Sequence, residues 1–191
     1  MMPSRKLPTL LILTGLPCTG KTYLGMQIAN HLGYLILQKD GIKECLFSTL
    51  GWSNREWSRK LGGASYDLMY YLTDLQLAAG GSLILEANFY PEFHASRFQE
   101  LLARHPCRLI QLLLTAEPQV LYKRFVQRWE SGVRHPGHVD DMTYDEIHTI
   151  LQNAPQSPLE LPGAFLNLDT TDFTTMDIPG VLSWLDSTLE E

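Results

Sequence analysis

Gly15-Leu16-Pro17-Cys18-Thr19-Gly20-Lys21-Thr22 is the stretch of this 191-residue chain whose types and spacing bear most directly on chemistry. It fits G-x-x-x-x-G-K-[ST] at every fixed position. Gly15 and Gly20 let the backbone curl until successive N–H groups point inward, which makes a nest for an anion. Lys21 adds a compact cation for the outer phosphates of a nucleotide, and the Thr22 hydroxyl is a hard oxygen suited to Mg²⁺. The loop is expected to contact phosphate along its whole length. Cys18 occupies a variable position and reads as filler.

Four more groups could do chemistry. Asp40 is an acid 19 residues after Lys21. It either presents a carboxylate to a ligand or caps a helix starting at Gly41. Glu86 follows four residues of mostly apolar character and, with Asn88, reads either as a metal-binding and ligand-binding pair or as polar groups satisfied at a strand end. Arg124 and Arg128 stand four apart on one helix face, with Arg134 beyond a turn at Ser131-Gly132. Arginine forks match phosphate oxygens, although a solvated basic face would look the same. His135 and His138 with Asp140 have metal-ligand spacing, but a hinge or an acceptor contact fits better where Mg²⁺ serves. Thr171, inside Asp169-Thr170-Thr171-Asp172, lies in a loop that an Asx turn explains nearly as well.

Positioning these groups needs strands that end beside one another. Apolar runs at Thr9–Thr14, Tyr34–Gln38, Ser82–Ala87, Cys107–Thr115 and Ala164–Leu168 read as strands, the first two as buried ones. Helices are expected over Lys21–Leu32, Asp40–Leu50, Arg55–Ala79 with a weak point at Gly62-Gly63, Pro91–His105, Glu117–Trp129, Thr143–Asn153 and Ile178–Leu189. Alternation of this kind predicts a three-layer α/β/α domain with a mainly parallel five-stranded sheet. Ligands of such sheets sit beyond the carboxyl ends of the strands. The glycine-rich loop, Asp40, Glu86 with Asn88, and Thr171 each follow one of those ends.

Composition removes other classes. Hydrophobic residues are 45 % and charged residues 19 %, a globular balance. The net charge of −6 argues against coating nucleic acid or an anionic membrane. The charge is uneven. All 15 basic residues lie between Arg5 and Arg134, while 11 of the 21 acids follow His135, which leaves a basic part fit for a polyanionic ligand. Three cysteines form no metal or disulfide pattern. No apolar stretch reaches membrane-spanning length. The opening MMPSRKLPTLLILTGLP superficially resembles a leader, but its apolar run is short and flows into the glycine-rich loop, so a buried strand and a cytoplasmic protein are expected.

The motifs GLPCTGKT, YLILQKDGIKE, LILEANF and RFVQRWESGVRHPGH resemble those of the small P-loop kinases over nearly the whole chain. These include adenylate and gluconate kinase and, more closely, the AAA-type kinases grouped with zeta toxins, chloramphenicol phosphotransferase and polynucleotide kinase. The resemblance implies one kinase domain over 1–191 with a lid at about 124–141. It implies ATP and Mg²⁺ as cofactors and a small-molecule or nucleotide-like acceptor. Asp40 would face the acceptor hydroxyl, Asn88 would bind the acceptor, and Glu86 would hold Mg²⁺ with Thr22. Lys21, Arg124, Arg128 and Arg134 would act on the transferring phosphoryl group, and Thr171 would pass near the adenine. The rival readings are a nucleotide-dependent switch without an acceptor and a toxin-like or polynucleotide-end kinase. A GTPase is disfavoured because N-K-x-D is absent, Asn167-Leu168-Asp169 lacking its Lys.

Overall fold

The computed structural model describes residues 7–190. Residues 1–6, which hold the basic patch compared above with a leader, and residue 191 lie outside the described part. Five parallel strands form one sheet in the order β2-β3-β1-β4-β5. They are β1 (Thr9–Gly15), β2 (Leu35–Gln38), β3 (Leu83–Glu86), β4 (Arg108–Thr115) and β5 (Ala164–Asp169). Every pairing is parallel, so the mainly parallel sheet expected is parallel throughout.

The helices are α1 (Lys21–Leu32), α2 (Lys39–Leu50), α3 (Arg55–Ala78), α4 (Pro91–Arg104), α5 (Pro118–Glu130), α6 (Tyr144–Asn153) and α7 (Ile178–Glu190). Two 3-10 turns, Pro136–His138 and Asp140–Met142, fill the connection from α5 to α6. No described helix is long and apolar enough to cross a membrane.

Strand periodicity explains the three layers. Side chains alternate across β1, so Leu10 and Ile12 face one side and Leu11 and Leu13 the other. The first pair packs with Met69, Tyr70 and Leu77 of α3 and with Phe98 and Leu101 of α4. The second packs with Leu24, Ile28 and Ala29 of α1 and with Val181 and Leu185 of α7. All four of these β1 side chains are fully buried, and each contributes roughly 1.5–3 kcal/mol of transfer free energy.

Three local expectations are corrected. Strand β2 begins at Leu35, not Tyr34, and is only half-buried because it is an edge strand. Helix α3 runs unbroken through Gly62-Gly63, since burial of Leu61, Gly62 and Ser65 outweighs the poor helix propensity of glycine. Helix α2 starts at Lys39 with Gln38 as its N-cap, so Asp40 lies in the first helical turn. It neither ends the strand nor caps the helix.

From β1 the chain turns one way to β3 and β2 and the other way to β4 and β5. The crevice at this reversal opens beyond the end of β1, where such sheets take their ligands.

Candidate active site

A cavity of about 840 Å³ opens at this point. Its walls include Lys21 and Thr22 from the loop after β1, Asp40 from α2, and Glu86 and Asn88 from the end of β3. Arg124 and Arg128 of α5, with Arg134 beyond it, complete the wall. Of the candidates, His135 stands apart from both the cavity lining and the loop, and so does Thr171. Its hydroxyl accepts from the Glu117 N–H at 3.1 Å, and its carbonyl accepts from Arg124 at 3.0 Å.

The loop is built on forced backbone geometry. Gly15 has φ 143°, and a Cβ there would lie 2.2 Å from the Leu114 carbonyl oxygen. Cys18 adopts φ 68°, a left-handed conformation costly for a side-chain-bearing residue. Such strain marks a backbone shaped to meet a ligand. The Lys21 ammonium donates to the carbonyls of Gly15 at 3.0 Å and Leu16 at 2.8 Å. Burial pushes its pKa down, with Glu86 and Asp40 acting in the other direction. Burial likewise pushes the Cys18 thiol up, which keeps it protonated and unreactive.

Beside Lys21, the Thr22 hydroxyl donates to Glu86 at 3.1 Å. Glu86 is buried, and burial raises its pKa while Lys21 lowers it. Two hard oxygen donors thus meet at the mouth of the phosphate loop. Magnesium asks for one or two protein oxygens, with phosphates and water completing its shell, and this pair fits it. Among the described residues no group of three His, Cys, Asp or Glu side chains is placed to hold a metal. The His135, His138 and Asp140 side chains are engaged separately. His135 accepts from the Gly137 N–H, His138 meets Glu44, and Asp140 meets Arg134.

Asp40 is clasped from two sides. Lys39 donates to one oxygen at 2.9 Å and Arg134 to the other at 2.9 Å. Arg134 donates further to both oxygens of Asp140, at 2.7 and 2.8 Å. Burial would raise the pKa of Asp40, but Lys39 and Arg134 together hold it well below the usual carboxylate range. His138 is itself pushed far down, first by burial and then by Arg134, so it is neutral. Its 2.9 Å contact with Glu44 is therefore a hydrogen bond donated by Nε2 rather than an ion pair.

The segment carrying Arg134 is seated on α2. His135 stacks on Phe47 with ring centroids 5.2 Å apart, and a Cβ on Gly137 would lie 2.6 Å from the same ring. The arginines of α5 line the same cavity. Arg124 lies 3.7 Å over the Phe173 ring and donates to the Thr170 and Thr171 carbonyls. Nη1 of Arg124 and Nε of Arg128 are buried with no partner. Such donors are costly to leave unmet, and here they border a cavity able to receive a polyanion.

The cavity lining holds further residues beyond the candidates named from the sequence. Lys39, Lys43 and Arg55 add cations, and Tyr66 donates to the Asn88 carbonyl at 2.7 Å. Lys43 stands three residues from Asp40 on α2, so helical spacing could have found it. Arg55 arrives from α3, and nothing local announces its place.

A family model described as an AAA domain matches residues 10–153. A solved structure from Chloroflexus aurantiacus, described as that of a candidate kinase, is 36 % identical with a TM-score of 0.89. That match covers 96 % of this chain and 99 % of the other. A sugar kinase from Janibacter sp. shares 17 % identity with a TM-score of 0.57, covering 94 % of this chain and 95 % of its own. A gluconokinase from Sinorhizobium meliloti shares 15 % identity with a TM-score of 0.52, covering 97 % and 94 %. At those identities the last two establish the shared fold. No curated protein matches the sequence.

Proposed function

From the AAA domain family, to which this chain belongs, we propose that it is an ATP-dependent phosphotransferase. It moves the γ-phosphoryl group to a hydroxyl of a small-molecule or nucleotide-like acceptor. The observation that carries this reading is a single cavity bounded by the phosphate loop, Asp40 and three arginines. A switch without an acceptor has no use for an ionised carboxylate facing the phosphate loop across an open cavity. The Chloroflexus aurantiacus protein, described as a candidate kinase, supports the same class. On this reading 1–191 acts as one P-loop domain, and 124–141 forms the lid.

The triphosphate lies in the amide nest of the loop, with Lys21 leaving the Gly15 and Leu16 carbonyls for the outer phosphates. Thr22 and Glu86 would hold Mg²⁺, which supplies charge neutralisation on the phosphates when bound. Arg124, stacked on Phe173, walls the base side of the cavity, and its free Nη1 is available to the nucleotide. Arg128 and Arg134 take the charge that develops on the transferring group. Asp40 accepts the hydrogen bond of the attacking hydroxyl and aligns its oxygen. That oxygen bonds to the γ-phosphorus as the bond to the bridging oxygen of ADP breaks. The hydroxyl proton passes to Asp40 and from there to water.

The test is ADP release across a panel of hydroxyl acceptors, with Asp40→Asn as the control. Acceptor-dependent release that falls about 10²–10⁴-fold in the variant, at unchanged ATP affinity, supports the assignment. Equal release by both proteins would reject it.

A further inference from the structure

Lys43 is 4 % exposed and lines the cavity, yet it meets no carboxylate. Its ammonium donates to the Ser58 hydroxyl at 2.8 Å and lies 5.2 Å over the Phe47 ring. The other cations on this wall are matched. Lys39 and Arg134 pair with Asp40, Arg134 also with Asp140, and Arg55 with Glu146. Lys43 therefore has two N–H donors without an anion to receive them. A second donor on the same wall, Nε2 of Gln38, is buried with no partner at all. Burying an ammonium without a counter-charge is expensive, and folded proteins pair such groups or neutralise them. Burial here, with Lys39, Arg134 and Arg55 nearby, lowers the Lys43 pKa to about 7, against the opposing pull of Asp40.

These donors belong to the element that carries Asp40, since Gln38 caps α2 and Lys43 lies within it. Lys43 follows Asp40 by three residues on α2, one helical turn away. A ligand whose hydroxyl meets Asp40 would thus reach Lys43 with a group a few bonds further along. We propose that the acceptor is a hydroxyl compound bearing a negatively charged group, a carboxylate or a phosphate, and that Lys43 receives that group with Ser58 and Gln38 beside it. The inference rests on the phosphotransferase reading and deepens it by naming the acceptor's charge class. Neutral sugars and uncharged alcohols would leave the buried ammonium unmatched and be disfavoured by about tenfold or more.

Calorimetric titrations on the full chain test it with the phosphate loop first filled by Mg²⁺ and the non-hydrolysable analogue AMP-PNP. The probes are gluconate, inorganic phosphate and neutral glucose. Wild-type protein is expected to bind gluconate or phosphate and not glucose. The anion that binds identifies which of the two groups the site takes. Lys43→Met should weaken that anion by about tenfold or more, while AMP-PNP affinity, which also reports an intact fold, stays within about twofold. Ser58→Ala should weaken the anion by a smaller factor. Binding of neither anion, glucose binding as tightly as gluconate, or unchanged anion affinity in a Lys43→Met protein that still binds AMP-PNP would overturn the inference and leave the kinase reading standing. Failure of the wild-type protein to bind AMP-PNP would instead remove the kinase reading and this inference with it.

Discussion

Asp40 carries two cations on its two oxygens, and their effects on catalysis oppose each other. Lys39 and Arg134 keep the carboxylate ionised, and the same contacts make it a weak base. Its work is therefore alignment of the acceptor hydroxyl more than early removal of a proton. A folded-state pKa depressed below the unfolded value is lost only as pH falls through it, so Asp40 stays charged below the usual carboxylate range. Followed by NMR of its carboxyl carbon, Asp40 should accordingly show no titration between pH 4 and 6, whereas a kcat profile would also carry the raised Glu86 carboxyl. Arg134→Ala should lower kcat by about 10²–10³-fold and move the Asp40 titration upward, because the carboxylate loses one of its two cationic partners. Titration of the Asp40 carboxyl near pH 5 in the wild-type protein would contradict the clasp. Lys43 has the opposite sign. Below about pH 7 it is charged in both folded and unfolded chains, and folding bears the whole cost of its burial. Between there and its ordinary pKa near 10.4 the folded form sheds the proton, so stability from this group rises with pH. Lys39 and Asp40 from α2, Arg55 from α3, and Arg134 and His138 from the α5–α6 connection all act across the same space. Thermal melts should show Lys43→Met gaining several degrees at pH 6 and less than half as much at pH 9. A gain independent of pH would show that burial of charge is not the cause.

Among the elements, the phosphate loop was legible because its chemistry needs fixed residues at fixed spacing. The five strands were legible as apolar runs, with ends misplaced by a residue or so. The start of α2 was not, because Gln38 caps it through its backbone position and contributes no side-chain bond that a motif would reveal. Nor was the seat of the connection from α5 to α6. Arg134 reaches Asp40, and His138 reaches Glu44, each across 94 residues of sequence, and no periodicity encodes such contacts. What the sequence does show at Gly137 is a residue without a side chain, and the structure supplies the reason. A Cβ would overlap the Phe47 ring, which is fully buried and has no room to retreat. Gly137→Ala should lift the connection from α2, costing about 1–3 kcal/mol in stability and weakening the Arg134 clasp on Asp40. Melting temperature and kcat measured together check this, since both should fall. Unchanged kcat would mean that the segment's seat on α2 has no part in transfer.

Over the whole molecule, the sheet order and the uneven charge act together. The reversal of strand order at β1 opens a crevice, and the basic part of the chain lines most of it. The acid-rich remainder touches that wall at two arginine-held carboxylates, Asp140 on Arg134 and Glu146 on Arg55. These pairings tie α6 and the segment before it to the acceptor side, leaving Lys21, Arg124 and Arg128 without ion pairs among the described residues. Both the division of charge and the crevice could be read from the sequence. The match of individual pairs could not, because it depends on how α3 crosses α2. Every role assigned to these residues requires the phosphate loop to hold a nucleotide beside Asp40. Titration of Mg²⁺-ATP into the wild-type chain and into Lys21→Met, followed by calorimetry, tests that most directly. One saturable site in the wild type, weakened at least tenfold in the variant, is the predicted result. No binding heat in either protein, or equal affinity in both, would contradict it.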